Sequence, residues 1–204
     1  KTNWMPIVII GLGLAGLAYY GIKTGKFNMG HYFGHDRLSI VSCAMIAFLL
    51  TTGRRPDEVN KLRWDQYIPG EQPRINLDKT KSSKKNKKLT FRLGKEAVRI
   101  LQIIQKDRLN NPNSKFYYSI DDERNKYIFP SANSNFKQNK IPHVIGPRST
   151  WQKLLKISGI TRSMKVYATR HTFATNFWIK TKDLKALAEA LGNTEAMAAK
   201  YAKI

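Results

Sequence analysis

The pattern of apolar and polar residues divides the chain into a hydrophobic N-terminal stretch and a longer region of short alternating elements. Met5–Ile22 holds eighteen residues without a charge. Residues 37–50 are nearly all apolar in their later turns, which predicts a buried helix with Asp36 as its N-cap. Pro56 suits the first turn of a second, short helix ending near Trp64, because the N–H that proline lacks is unpaired there anyway.

Two segments further along have the alternating pattern of β-strands. Arg74–Asp78 and Lys88–Arg92 place apolar residues at every second position, which predicts a pair of strands. The residues between them contain six lysines from Lys79 to Lys88. Such a segment predicts an exposed hairpin loop.

The rest of the chain has mostly helical periodicity. Residues 110–125 are polar and rich in turn formers, which predicts a surface excursion. Gly192 is placed to end one helix and Thr194 to cap the next. Helices are predicted over Lys95–Lys106, Thr150–Ile157, Ala168–Ile179, Leu184–Leu191 and Glu195–Ala202. The expected fold is mainly α-helical with a small antiparallel β-sheet.

The charge of the chain is strongly unbalanced. Its 204 residues include 36 Lys and Arg against 14 Asp and Glu, giving a net charge of +22. A field of this sign favours a polyanionic partner, either nucleic acid or an anionic membrane surface.

Cysteine and histidine usage argues against a disulfide or a metal centre. The single cysteine, Cys43, lies in an apolar run and is predicted to be a packed core thiol. His31 and His35 are four residues apart but have no third ligand near them in the sequence, so no metal site is predicted.

Four motifs follow one another in the second part of the chain. They are TTGRRPDEVNKLRWDQ at residues 51–66, the strand pair with its lysine-rich loop at 74–92, VYATRHTFAT at 166–175, and LGNTEAMAAKYAKI at 191–204. In this order they resemble the catalytic domain of tyrosine recombinases, the phage-type integrases and their relatives, over residues 36–204. The resemblance implies the DNA breaking-rejoining fold and site-specific cleavage of DNA through a 3′-phosphotyrosine.

The resemblance nominates Arg55 and Arg170 as the residues that hold the scissile phosphate. Cleavage by a tyrosine passes through a state with extra negative charge on the non-bridging oxygens, which suits planar, permanently charged guanidinium groups. Arg54 also follows the glycine, but the TGxR spacing of the family selects Arg55. Glu58, three residues after Arg55, is predicted to orient it by an ion pair.

The leaving DNA 5′-oxygen needs a proton, and in the family a lysine on the β-hairpin supplies it. Lys81 fits this role best, with Lys79 as the alternative. The other hairpin lysines are predicted to attract phosphates without sequence preference. The DNA-binding residues expected here are Lys79, Lys84, Lys85, Lys87 and Lys88.

The LG motif nominates Tyr201 as the nucleophile. A phenol is a weak nucleophile near neutral pH unless its proton is removed or its anion is stabilised. The resemblance implies that no metal or other cofactor is needed, because the energy of the cut bond is retained in the phosphotyrosine.

Two positions depart from the family pattern. Tyr167 stands where the family usually has the first histidine of H-x-x-R, and Asn193 where it usually has histidine or tryptophan after LG. Both side chains can donate a hydrogen bond to phosphate, but neither is a base near pH 7. His171, in the RHTFAT pattern, is expected to be a structural hydrogen-bonder. The departures leave open a degenerate, DNA-binding relic; a type IB topoisomerase is a further alternative, distinguished by synapsis of two DNA sites.

The first 35 residues do not belong to the resemblance and are too few for the DNA-clamping domain that precedes the catalytic domain in full recombinases. Met5–Ile22 is long enough for a membrane helix, but a helix or strand packed onto the core fits equally. Gly11, Gly13 and Gly16 form a G-x-G-x-x-G, yet no further βαβ repeat follows to support a dinucleotide site.

The resemblance also implies the partners and the setting of the protein. Double-stranded DNA is the expected partner, with self-association into a recombinase tetramer on that DNA. The expected location is the cytoplasm or nucleoid of a bacterium, for a protein of bacterial, phage or mobile-element origin. A membrane-anchored location is the alternative if residues 5–22 span a bilayer.

Overall fold

The computed structural model describes residues 39–77, 89–110, 118–119, 121–131 and 141–202. The helices, in chain order, are α1 (Ile40–Thr52), α2 (Pro56–Val59), α3 (Lys95–Asn110), α4 (Arg148–Ile157), α5 (Ala168–Thr181), α6 (Leu184–Leu191) and α7 (Glu195–Ala202). The strands are β1 (Tyr67–Ile68), β2 (Arg74–Leu77) and β3 (Leu89–Arg92), and short 3₁₀ turns span Trp64–Gln66 and Glu123–Lys126. The mainly helical fold with a small antiparallel sheet is therefore confirmed.

The first two helices differ from their predicted bounds. α1 begins at Ile40, because the Ser39 side chain caps it by accepting a hydrogen bond from the Ser42 N–H at 3.3 Å. The prediction of Asp36 as the cap of a helix starting at residue 37 is wrong. α2 begins at Pro56 as predicted but ends at Val59, a single turn that does not reach Trp64.

The described residues form two compact units. The second unit, Arg55–Gly146, contains the sheet in the order β1-β2-β3. β2 and β3 pair antiparallel, with Ile75 opposite Phe91, so the predicted strand pair is confirmed, whereas β1 was not predicted. Helix α3 buries Ala97, Ile100, Leu101 and Ile104 along its inner face.

The first unit joins the chain up to Arg54 with the part from Pro147 onward. Helix α1 is its centre, buried at almost every position from Val41 to Leu49, as expected of a helix that is apolar all round. Cys43 is among these residues, and burial raises the pKa of its thiol to about 12, which confirms a packed core thiol. The Trp151 indole N–H of α4 donates to the Met164 carbonyl at 2.8 Å, so its one polar group is paired.

Several predictions fall on residues outside the described ranges. These include the N-terminal stretch Met5–Ile22, His31, His35 and the hairpin loop with Lys79, Lys81, Lys84, Lys85, Lys87 and Lys88. Within the described ranges, no helix has the length and apolar character needed to cross a bilayer. The boundary at residue 36 remains a prediction. So do the two interpretations of Met5–Ile22, as a membrane helix and as a helix or strand packed onto the core.

Candidate active site

Arg170 lies inside the first unit and holds together the ends of two helices. Its side chain is 0% exposed. One terminal nitrogen donates to the carbonyl of Gly53, just after α1, at 2.8 Å, and the other donates to the carbonyl of Leu191, the last residue of α6, at 3.0 Å. An arginine that is this deeply buried, with both terminal nitrogens of its guanidinium hydrogen-bonded, has a specific role and is not an ordinary surface cation.

Gly53 is required where α1 meets α5. Its φ of 63° lies in the left-handed region that favours glycine. A Cβ built at this position would lie 2.2 Å from Cδ1 of Phe173, a distance no real contact allows. The glycine of the TG motif therefore lets α5 pack closely enough for Arg170 to reach the Gly53 carbonyl.

Tyr201 on α7 is half-buried and packs on a core cluster with Leu187, Leu191 and Ala198. Burial raises the pKa of its phenol above the ordinary value. A hydrogen-bonding interaction with the Arg170 guanidinium opposes this increase, whereas interaction with Tyr167 adds to it, and the net direction is upward. The structure therefore brings Tyr201 close to Arg170 and Tyr167, which belong to a different motif.

His171 contacts the rings of both tyrosines. Its ring centroid lies 5.7 Å from that of Tyr167 and 5.1 Å from that of Tyr201. Burial lowers the pKa of His171, and the charge of Arg170 lowers it further, so the imidazole is neutral near pH 7. The motif predicted a structural role for His171 but did not indicate this contact with Tyr201.

Asn193 lies in the turn between α6 and α7, close in sequence to the candidate nucleophile. Its backbone N–H donates to the Ala188 carbonyl at 2.9 Å, and Gly192 before it has the left-handed conformation that ends α6. Thr194 then caps α7, its hydroxyl oxygen accepting from the Met197 N–H at 3.4 Å. The predicted helix end and cap are both confirmed.

Arg55 and Glu58 belong to the second unit and form the ion pair predicted from their spacing. The Arg55 Nη1 lies 3.1 Å from the Glu58 Oε1, and the Arg55 backbone N–H donates to Oε2 at 3.3 Å. The carboxylate thus fixes the arginine at the start of α2 while part of its side chain, 30% by area, stays exposed. An oriented, partly exposed guanidinium suits an oxyanion ligand.

Sequence reasoning missed Arg54. Its side chain is 1% exposed and donates to the Ala190 carbonyl of α6 at 3.0 Å. The motif spacing selects Arg55 over Arg54 but gives the second arginine no role. Arg54 follows Gly53 and so sits beside the tight turn that ends α1, which was the available signal that it faces inward. Within the described ranges, no cluster of three His, Cys, Asp or Glu could hold a metal ion.

The motifs nominate Arg170 and Tyr201 from separate parts of the chain, and both lie in the first unit, where His171 beside Arg170 contacts the Tyr201 ring. The chain belongs to the phage integrase family, the tyrosine recombinases: a sequence model of this family matches residues 29–204. Among curated proteins, none matches the chain significantly.

Solved structures share the fold at low sequence identity. XerH recombinase in a post-cleavage complex with palindromic difH is 16% identical with a TM-score of 0.62, the match covering 93% of this chain and 47% of XerH. XerA recombinase is 23% identical with a TM-score of 0.58, over 80% of this chain and 52% of XerA. The Tn1549 integrase bound to circular intermediate DNA is 18% identical with a TM-score of 0.59, over 87% and 60%. The chain thus spans about half the length of these recombinases.

Proposed function

We propose that this chain supplies the catalytic part of a site-specific recombinase or integrase that cleaves and rejoins double-stranded DNA through a 3′-phosphotyrosine on Tyr201. The observation that carries the proposal is the placement of Tyr201 on α7 against His171, at 5.1 Å between ring centroids, because His171 directly follows the buried Arg170 on α5. Two different motifs nominate these residues, and only folding brings them together. Membership in the phage integrase family supports the same reaction class.

In the proposed reaction, the Tyr201 oxygen forms a bond to the scissile phosphorus and the bond from phosphorus to the 5′-oxygen breaks. The phenol releases its proton to solvent water, and Lys81 donates a proton to the leaving oxygen and regains one from solvent, so the proton balance closes. Arg55 and Arg170 hold the non-bridging oxygens, with hydrogen bonds from Tyr167 and Asn193. Attack by a 5′-hydroxyl on the phosphotyrosine reverses the steps and rejoins the strand. The reaction consumes no cofactor.

The environment of Tyr201 favours its protonated form until substrate arrives. Burial raises the pKa of this phenol and outweighs the opposing interaction with Arg170. The proton must therefore leave as the bond to phosphorus forms, and Arg170 favours that step because its charge stabilises the phenolate. Because no phenolate is present before the substrate binds, uncontrolled attack is avoided.

Double-stranded DNA is the proposed partner. The net charge of +22 supports it, and Lys79, Lys84, Lys85, Lys87 and Lys88 are proposed to contact phosphates through charge alone. XerH was solved with its difH substrate and a fragment of lambda integrase as a dimer on a core site. By analogy we propose that this chain self-associates on DNA, as a tetramer when two sites are joined.

The test is covalent capture of Tyr201 on a suicide DNA substrate, compared with Tyr201→Phe. The substitution removes one oxygen and keeps the ring, so we expect DNA binding and stability to change little and the adduct to disappear. Tyr67→Phe, the same change in β1, is the control and should retain full adduct formation. Mass spectrometry of the trapped complex should place the nucleotide on the peptide containing Tyr201. An adduct on Tyr167 would overturn the assignment, and no adduct from wild-type protein would identify a DNA-binding relic.

A further inference from the structure

The last four backbone carbonyls of α6 all accept hydrogen bonds. The last four carbonyls of a helix have no partner within it, and here these belong to Ala188, Glu189, Ala190 and Leu191. The backbone N–H of Gly192 donates to the carbonyls of the first two, and that of Asn193 also reaches Ala188. The turn thus satisfies two of the four carbonyls and leaves the last two to side chains.

Two buried arginines satisfy these last two carbonyls. Arg54 donates to the Ala190 carbonyl and Arg170 to the Leu191 carbonyl, each at 3.0 Å. Both guanidinium groups lie at the negative end of the helix dipole, where a cation is stabilised. Arg54 is 1% exposed, and burying a charge is costly unless it is paired, so its place at this helix end is specific.

The end of α6 determines where Tyr201 lies. The turn after α6 contains Asn193, and α7 follows at once from Glu195. Tyr201 in turn packs on Leu187 and Leu191 of α6. A shift of the last turn of α6 therefore moves the residues on which the Tyr201 ring packs. It also moves the start of α7, the helix that carries Tyr201.

We propose that Arg54 is a positioning residue for Tyr201, acting through the Ala190 carbonyl at the end of α6. It does not touch the reacting atoms. It fixes the turn between α6 and α7 so that the Tyr201 ring keeps its place against His171, next to Arg170. This inference rests on the proposed function in that the aligned phenol is the nucleophile.

The experiment measures single-turnover adduct formation on a suicide DNA substrate for Arg54→Met and Arg54→Lys, with the exposed Arg162→Met as matched control. Methionine keeps much of the buried volume but donates no hydrogen bond. Because small misplacements of a reacting group slow catalysis strongly, we expect the rate constant to fall by about 10- to 100-fold. The final adduct amplitude and the DNA Kd should stay within about twofold of wild type, since the folded fraction and the DNA contacts remain.

A merely structural role predicts the opposite pattern. The adduct amplitude would then fall with the folded fraction, while the rate constant of the molecules that react would equal that of wild type, and this result would overturn the proposal. Lysine keeps the charge but lacks the planar fork of arginine, so we expect an intermediate rate constant. If Arg54→Met does not fold, Arg54→Lys decides, and a rate constant equal to wild type for that variant overturns the proposal.

Amide hydrogen exchange separates this proposal from the proposed function. In Arg54→Met we expect faster exchange across residues 192–202 and unchanged exchange in α3, with Arg162→Met like wild type. If wild-type protein forms no adduct but exchange changes as expected, the proposed function fails and the positioning contact stands. If adduct forms but neither its rate constant nor the exchange responds to Arg54→Met, the positioning proposal alone is refuted.

Discussion

Replacing Arg170 by methionine should lower the free energy of unfolding of the first unit, and the loss can be calculated from the two hydrogen bonds that Arg170 makes. The change removes the donors to the Gly53 and Leu191 carbonyls while roughly keeping the buried volume. Leaving a buried acceptor without its partner costs about 1–3 kcal/mol, so two carbonyls give about 2–6 kcal/mol. Removing a buried charge also relieves a desolvation cost, so we expect the lower half, about 2–4 kcal/mol.

The assay is urea unfolding at pH 7, followed by circular dichroism. The control is Arg162→Met, the same change at an exposed position of the same unit, which should alter the free energy of unfolding by about 0.5 kcal/mol or less. A loss below about 1 kcal/mol for Arg170→Met would refute the reasoning, because it would mean that the two carbonyls do not depend on the guanidinium.

In a cleavage assay, the rate measured for an Arg170 variant depends on folding as well as on chemistry. A truncated side chain removes the proposed phosphate contact and also loosens the ends of α1 and α6, next to the turn that leads to Tyr201. Alanine at this position is therefore not a clean probe of transition-state stabilisation. Rates for Arg170 variants must be normalised to the folded fraction measured under the same conditions.

Two further predictions concern neighbours of Arg170. The lowered pKa of His171, from burial and then from the charge of Arg170, means that the unfolded chain binds more protons just below the ordinary value of 6.5. Stability should therefore be complete above that pH and decline as the pH falls toward the folded pKa. Urea unfolding between pH 5 and 7.5 should show a shallower decline for His171→Gln, and equal slopes would contradict the pKa direction. Gly53→Ala should cost about 2–4 kcal/mol in the same assay, from the left-handed backbone and the collision with Phe173; Gly94→Ala, where a Cβ meets nothing within 4 Å, is the control.

The sequence predicted those elements whose signals are local. The bounds of α6 and α7 agree with Leu184–Leu191 and Glu195–Ala202, because Gly192 and Thr194 give an end and a cap that any context would use. α1 was misplaced at its start because aspartate and serine are both good caps, and only the fold selects Ser39 over Asp36. β1 was missed because two residues carry no readable periodicity.

The features of the candidate site also divide into those with a local signal in the sequence and those without one. The ion pair of Arg55 with Glu58 follows from their i, i+3 spacing, so it could be predicted. The burial of Arg170 and its hydrogen bonds to the Gly53 and Leu191 carbonyls could not be predicted, because these partners lie far from Arg170 in the sequence. Arg54 and Arg55 have identical chemistry in the sequence, and what separates them is that one is buried in the first unit and the other starts a helix in the second.

The burial of two arginines near one helix end follows from how many donors each can supply. A guanidinium carries five N–H groups, and Arg170 gives two to the Gly53 and Leu191 carbonyls, so three remain (5 − 2). With Arg54 on the neighbouring Ala190 carbonyl, Arg170 need not serve that acceptor as well. Among the described residues, the buried Nε of Arg170 has no hydrogen-bond partner, and under the proposed function this donor serves a phosphate oxygen. Under the two proposals, Arg54 secures the helix end, and Arg170 serves both the fold and the reaction.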